Sequence, residues 1–162
     1  MNHRYTILTL SELLAVNREG ERGFSLCAEH ARGESLKRAF LWRAVRRAAA
    51  AAELRELITQ LGADPVQTKI PGAGHRGWAN LRSAVARNCD EEALVDECEH
   101  GEDHALEVYR NALDDHLPDF VRQLVLRHFE DMMSDHDQIQ FLRSDTPQGG
   151  IAAASIGGHA RQ

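Results

Sequence analysis

The sequence contains few of the residues on which β-rich, secreted and membrane-spanning proteins depend. Only 6% of its 162 residues are aromatic and four are proline, whereas alanine, leucine, arginine and glutamate are abundant, which favours helices over strands. No apolar run is long enough to span a bilayer, and the first ten residues contain no signal-peptide core. We therefore expect a helical, cytoplasmic protein with no membrane partner.

Cysteine and basic charge are also scarce. The three cysteines, Cys27, Cys89 and Cys98, form no C-x-x-C pair and leave one thiol over, which suits buried small side chains in a reducing compartment better than a disulfide framework. The formal net charge is -6, so we expect no nucleic-acid partner. With 43% hydrophobic and 27% charged residues, the chain has the composition of one folded domain.

Hydrophobic periodicity predicts four long helices. They run from Thr9 or Ser11 to about Gly33, from Glu34 to Leu61, from the cap Asp90 to about Leu117, and from Pro118 to about Arg143. The long connection before the third helix contains a short helix marked by Trp78, Leu81 and Val85. Two hairpins joined by one long crossover are typical of ferritin-like bundles, whereas simple up-down bundles have three short loops. The sequence therefore predicts an all-α, ferritin-like four-helix bundle over residues 1–143 and a flexible, small-residue tail over residues 144–162.

Several titratable residues fall within or beside the predicted buried stripes, near the helix midpoints. They are Glu21, Arg47, Glu102, His128, Asp135 and His136. An unpaired buried charge costs several kcal/mol, so these groups should satisfy one another or a metal ion. Arg38, Arg43, Arg46 and Arg47 make the second helix locally basic. We expect a solvated face that balances the acidic third helix, the alternative being contact with RNA or an acidic partner.

Two interpretations of the mid-bundle residues remain open. Ferritin-like carboxylate proteins bind two metal ions at this level, and Glu21, Glu102, His128 and His136 would then be ligands for iron or manganese. However, the second helix has no histidine and carries Arg47 where a ligand is expected. We favour a metal-free polar network with no cofactor; the alternative is an iron or manganese protein for iron handling or oxidoreduction.

Six segments together resemble the domain-of-unknown-function family 2383, which contains ferritin-like four-helix bundles. They are NREGERGF (17–24), RRAAAAAEL (46–54), LGADP (61–65), GAGHRGWANLRSAV (72–85), ECEHGEDHALEVY (97–109) and HDQI (136–139). The resemblance covers about residues 8–143 and implies the bundle and its crossover. The family has no settled activity, so the resemblance assigns no reaction and no catalytic residue.

Trp42 lies off the predicted core stripe and points to an interaction surface. We expect a homo-oligomer, most simply a two-fold dimer, that uses the outer face of the second helix. The competing interpretation is that Trp42 packs on Trp78 and the short helix within one chain. The expected function is that of a non-enzymatic, stress-associated or assembly-forming protein, the alternatives being the metal protein and an adaptor that acts through Trp42.

Overall fold

The computed structural model describes residues 3–68 and 76–145, with side chains up to residue 139. All regular structure in these ranges is helical, so the predicted all-α class is confirmed. The helices are α1 (Arg4–His30), α2 (Glu34–Gln60), a 3-10 turn (Arg76–Trp78), α3 (Leu81–Ala86), α4 (Glu91–Asp114) and α5 (Asp119–Asp145). Within the described ranges, no helix combines the length and apolarity that a membrane crossing requires.

Two helix boundaries follow local signals in the sequence. Asp90 caps α4, its side chain accepting a hydrogen bond from the backbone N–H of Ala93 at 2.9 Å. α2 ends before Gly62, whose φ of 92° is a left-handed conformation that glycine adopts without strain. α1, by contrast, begins at Arg4, five residues before the earliest predicted start. No side-chain hydrogen bond caps this end, so the sequence carried no start signal there.

Two apolar clusters fill the space between the four long helices. The first joins the N-terminal half of α1 to the C-terminal halves of α2 and α4, and includes Leu10, Leu54, Ile58, Tyr109 and Val121. The second joins the opposite ends of the same helices, and includes Phe24, Phe40, Cys27, Leu94 and Cys98. Between the clusters lies a mid-section whose buried side chains are polar or charged.

Trp78, in the connection between α2 and α4, packs against the bundle. Its indole lies between α1 and α4, at two glycines that leave room for it: a Cβ on Gly23 would lie 2.3 Å from the ring, and a Cβ on Gly101 would lie 2.1 Å from it. The ring also meets Phe24 edge-on, with ring centroids 5.1 Å apart. The Trp78 ring is therefore a wedge that requires glycine on both neighbouring helices.

The division into a bundle and a tail stays a prediction. α5 continues to Asp145, two residues past its predicted end, and the rest of the predicted tail, residues 146–162, lies outside the described residues.

Candidate functional site

Three arginines of α2 converge on one aspartate of α5. Arg47 Nη2 lies 2.7 Å from Asp135 Oδ2, and Arg46 Nε lies 2.9 Å from the same oxygen. Arg43 Nη2 donates to the backbone carbonyl of Asp135 at 2.9 Å. Arg43, Arg47 and Asp135 are all at most 3% exposed, so these charge-assisted bonds lie inside the protein. Their guanidinium groups link α2 to α5.

Glu102 of α4 is the second carboxyl of this arginine cluster. Its Oε1 lies 3.9 Å from Arg47 Nε, and the side chain is 2% exposed. Burial raises the pKa of Glu102, against the opposing effect of Arg47. Among the described residues, Glu102 Oε2, Arg43 Nε and Arg47 Nε have no hydrogen-bond partner. Three guanidinium groups therefore face two buried carboxyl groups, those of Asp135 and Glu102.

Gly20 of α1 provides the space for Arg47. A Cβ at this position would lie only 3.1 Å from Cγ of Arg47. The next residue, Glu21, is turned by about 100° around the helix. It is half-buried and lines a surface groove with Arg22 and Trp78.

A second polar cluster lies next to the arginine cluster, towards the first apolar cluster. Asn17 Nδ2 donates to the Tyr109 hydroxyl at 2.7 Å, and this hydroxyl lies 3.1 Å from His128 Nδ1. His128 Nε2 lies 3.1 Å from Glu53 Oε1. A neutral His128 that carries its proton on Nε2 satisfies both contacts: Nε2 donates to Glu53 Oε1, and Nδ1 accepts from the Tyr109 hydroxyl. Burial lowers the pKa of His128, against the hydrogen bond with Glu53, and so favours this neutral form.

The predicted mid-bundle residues are distributed over several places. Arg47, Glu102 and Asp135 meet in the arginine cluster, whereas His128 belongs to the Tyr109 cluster. His136 lies on the flank, with Nε2 3.6 Å from Asp103 Oδ1. Glu102 of α4 and Asp135 of α5 share Arg47 as their partner.

Three functional side chains were missed or misplaced by sequence reasoning. Arg43 was expected on a solvated flank, and this was wrong: it is 1% exposed, because its long side chain reaches the backbone of α5. Glu53 was missed: its side chain pairs with His128 and Arg127. The polar contacts of the Tyr109 hydroxyl were not predicted, although a tyrosine in a buried stripe requires a polar partner.

The residues of the mid-section do not fit a resident iron or manganese ion. Asp135 Oδ2 is already bound by two guanidinium groups, and burial raises the pKa of Glu102, which opposes the deprotonation that metal binding requires. The fixed positive charges of the arginines repel a dication. Over residues 3–68 and 76–145, no group of three or more histidine, cysteine, aspartate or glutamate side chains is placed to hold a metal ion.

Trp42 lies on the outer side of α2, far from the packing that Trp78 makes. It is 55% exposed, and the guanidinium of Arg46 lies 5.8 Å from its ring centroid. Trp78 is instead buried against Phe24. Trp42 therefore presents most of its ring to the surroundings of the chain.

Comparison with known proteins gives a family and no activity. The family model described as Domain of unknown function (DUF2383) matches residues 5–115. This range includes the arginines of α2, the Trp78 wedge and Glu102, and it ends before α5, so the HDQI segment and Asp135 lie outside it. No curated protein matches the sequence. The matched range covers more than half of the chain, which therefore belongs to the DUF2383 family.

Proposed function

We propose that this chain is a metal-free, ferritin-like bundle that works by assembly with a second copy of itself and not by catalysis. The observation that carries the proposal is an exposed, self-complementary face on α2. The four long helices, the long connection between α2 and α4, and a polar mid-section between two apolar clusters support the ferritin-like form. A role in stress stays a prediction by analogy.

The arginine cluster supports the metal-free part of the proposal. In a carboxylate-bridged centre the acidic side chains bind metal ions, whereas here the carboxyls of Asp135 and Glu102 face Arg47. The guanidinium groups supply the positive charge that the metal ions would otherwise bring. They also hold α2 and α5 together, which makes the cluster a structural element.

The outer α2 face is defined by seven residues that share one side of the helix. They are Arg38, Leu41, Trp42, Val45, Ala49, Ala52 and Glu56, and all seven are exposed. The three large apolar side chains are 46%, 55% and 60% exposed in chain order. Contiguous exposed apolar surface of this kind marks interaction sites.

A second copy of the chain fits this face in an antiparallel arrangement. The large side chains lie in the N-terminal half of the face, and the small alanines lie in the C-terminal half. A two-fold axis near residue 47 sets Trp42 against Ala52, Val45 against Ala49, and Arg38 against Glu56. A shift of the pairing by one residue sets Arg38 against Arg55, which repels. Both shape and charge therefore favour a two-fold pair with this register.

Charge reversal tests both the oligomeric state and the register. Light scattering at micromolar concentration should give a dimer mass for the wild type. Arg38→Glu and Glu56→Arg should each weaken the dimer, because each creates two like-charge contacts across the axis, and the double variant should restore it. Arg87→Glu, an exposed change outside α2, is the matched control and should leave the dimer intact.

Three results would contradict the proposal. A monomer mass for the wild type refutes assembly with a second copy. A dimer that neither single reversal weakens refutes the α2 face. Two tightly held iron or manganese ions per chain, measured by elemental analysis of protein purified without a histidine tag, would refute the metal-free part and favour the iron or manganese alternative.

A further inference from the structure

Two of the three cysteines face each other across the interface between α1 and α4. Cys98 Sγ lies 3.2 Å from Cys27 Sγ, at hydrogen-bond distance for two thiols, and both side chains are 0% exposed. They come from positions 71 residues apart in the sequence. Both belong to the second apolar cluster. Buried cysteines acting only as small apolar side chains do not require this pairing.

We propose that Cys27 and Cys98 form a redox-sensitive dithiol that a peroxide-class oxidant converts into a disulfide between α1 and α4. Neither the arginine cluster nor the α2 face uses these thiols, so the inference is independent of the proposed function.

The chemistry is a two-electron oxidation of the thiol pair. One cysteine sulfur attacks a peroxide oxygen, the O–O bond breaks, and a sulfenic acid and water form. The second sulfur then attacks the sulfenic sulfur and displaces its hydroxyl as water, which forms the S–S bond. The two sulfurs together lose two electrons and two protons, and hydrogen peroxide is reduced to two molecules of water. Because a disulfide is about 2.0 Å long, the sulfurs have to approach by only about 1.2 Å from their present 3.2 Å separation.

The surroundings of the pair determine how fast this reaction proceeds. Burial raises the pKa of the Cys98 thiol, while Arg43 acts in the opposite direction. The closed bundle therefore favours the protonated thiol of Cys98 and excludes the oxidant from both buried sulfurs. Cys27 lies in the last turn of α1, which ends at His30, and helix ends open more readily than helix centres. Oxidation is thus expected through local opening of this end, at a rate that rises in mild denaturant.

Thiol counting after peroxide treatment tests the proposal. The folded protein is incubated with hydrogen peroxide, then unfolded, alkylated with iodoacetamide and analysed by mass spectrometry. The wild type should fall from three alkylated cysteines to one. Before alkylation its mass should be about 2 Da lower, and peptide mapping should join Cys27 to Cys98.

Alanine variants distinguish a disulfide between Cys27 and Cys98 from oxidation that involves Cys89. Cys89→Ala is the matched control and should lose both remaining thiols at the wild-type rate, whereas Cys27→Ala should form no intramolecular disulfide. The isolated oxidised wild type should also unfold at a higher temperature than the reduced form, because the cross-link restricts the unfolded chain.

Each opposite result overturns the proposal. Retention of all three thiols after peroxide treatment, even in urea just below the unfolding transition, shows that the pair does not oxidise. A cross-link that contains Cys89 shows that the reacting pair is a different one. An unchanged or lower unfolding temperature for the oxidised form shows that the disulfide does not fit the native packing of α1 against α4.

Discussion

Removal of Arg47 tests whether the arginine cluster holds the bundle together. Arg47→Ala deletes the 2.7 Å contact with Asp135 and the nearest cation to Glu102, and it leaves a gap beside Gly20. A hydrogen bond to a charged group contributes about 1.5 to 3 kcal/mol, and the buried alkyl stem adds further packing. Asp135 keeps its contact with Arg46, which limits the loss. We expect the free energy of unfolding to fall by about 2 to 4 kcal/mol.

Urea denaturation followed by circular dichroism measures this loss directly, and thermal unfolding should show a midpoint lower by roughly 4 to 16 °C for a chain of this size. Arg55→Ala is the matched control: Arg55 is an exposed arginine on the same helix, and its removal should change stability by less than about 0.5 kcal/mol. Arg47→Met, which keeps the apolar stem and loses the charge, should fall between the wild type and Arg47→Ala. If the Arg47→Ala protein is as stable as the Arg55→Ala control, Arg47 does not stabilise the fold and the arginine cluster does not hold the bundle together.

Three further outcomes follow from the wedge and from the buried titratable groups. Gly101→Ala should destabilise the protein by about 1 to 3 kcal/mol, because its Cβ would overlap the Trp78 ring. Gly33→Ala is the control and should be close to neutral, because a Cβ there would make only ordinary contacts with Glu91. Equal thermal midpoints for the two variants would contradict the wedge. Burial lowers the pKa of His128, so as pH falls below 6.5 the unfolded state binds a proton at His128 before the folded state does. Stability should therefore decline as pH falls from 6.5, and His128→Gln should flatten this slope in urea titrations. The raised pKa of Glu102 has the opposite sign, since its stabilising neutral form is lost as pH rises above about 4.5; Glu102→Gln should remove this loss, and a steeper decline in the variant would refute the assignment.

The positions of the helices and most of their buried faces could be predicted from local patterns of residues. The 3.6-residue period, the cap at Asp90 and the glycine at position 62 are local signals, and α2 and α4 accordingly begin and end close to the predicted residues. The period also placed Arg47 and Glu102 towards the interior, where both are buried. Helix positions and faces depend on residues a few positions apart, so one amino-acid sequence is enough to predict them.

Which of these buried groups contact one another depends on how the helices pack, and local patterns could not predict it. Asp135 Oδ2 contacts two arginines because α2 and α5 lie at a particular distance and level. Glu21 and Gly20 are neighbours in sequence, yet only the glycine faces Arg47, since adjacent helical residues point about 100° apart. The meeting of Cys27 with Cys98 likewise joins distant positions whose spacing carries no local signal. Helix periodicity specifies a face, whereas contact between faces depends on the relative translation and rotation of whole helices, which the packing of all four sets together.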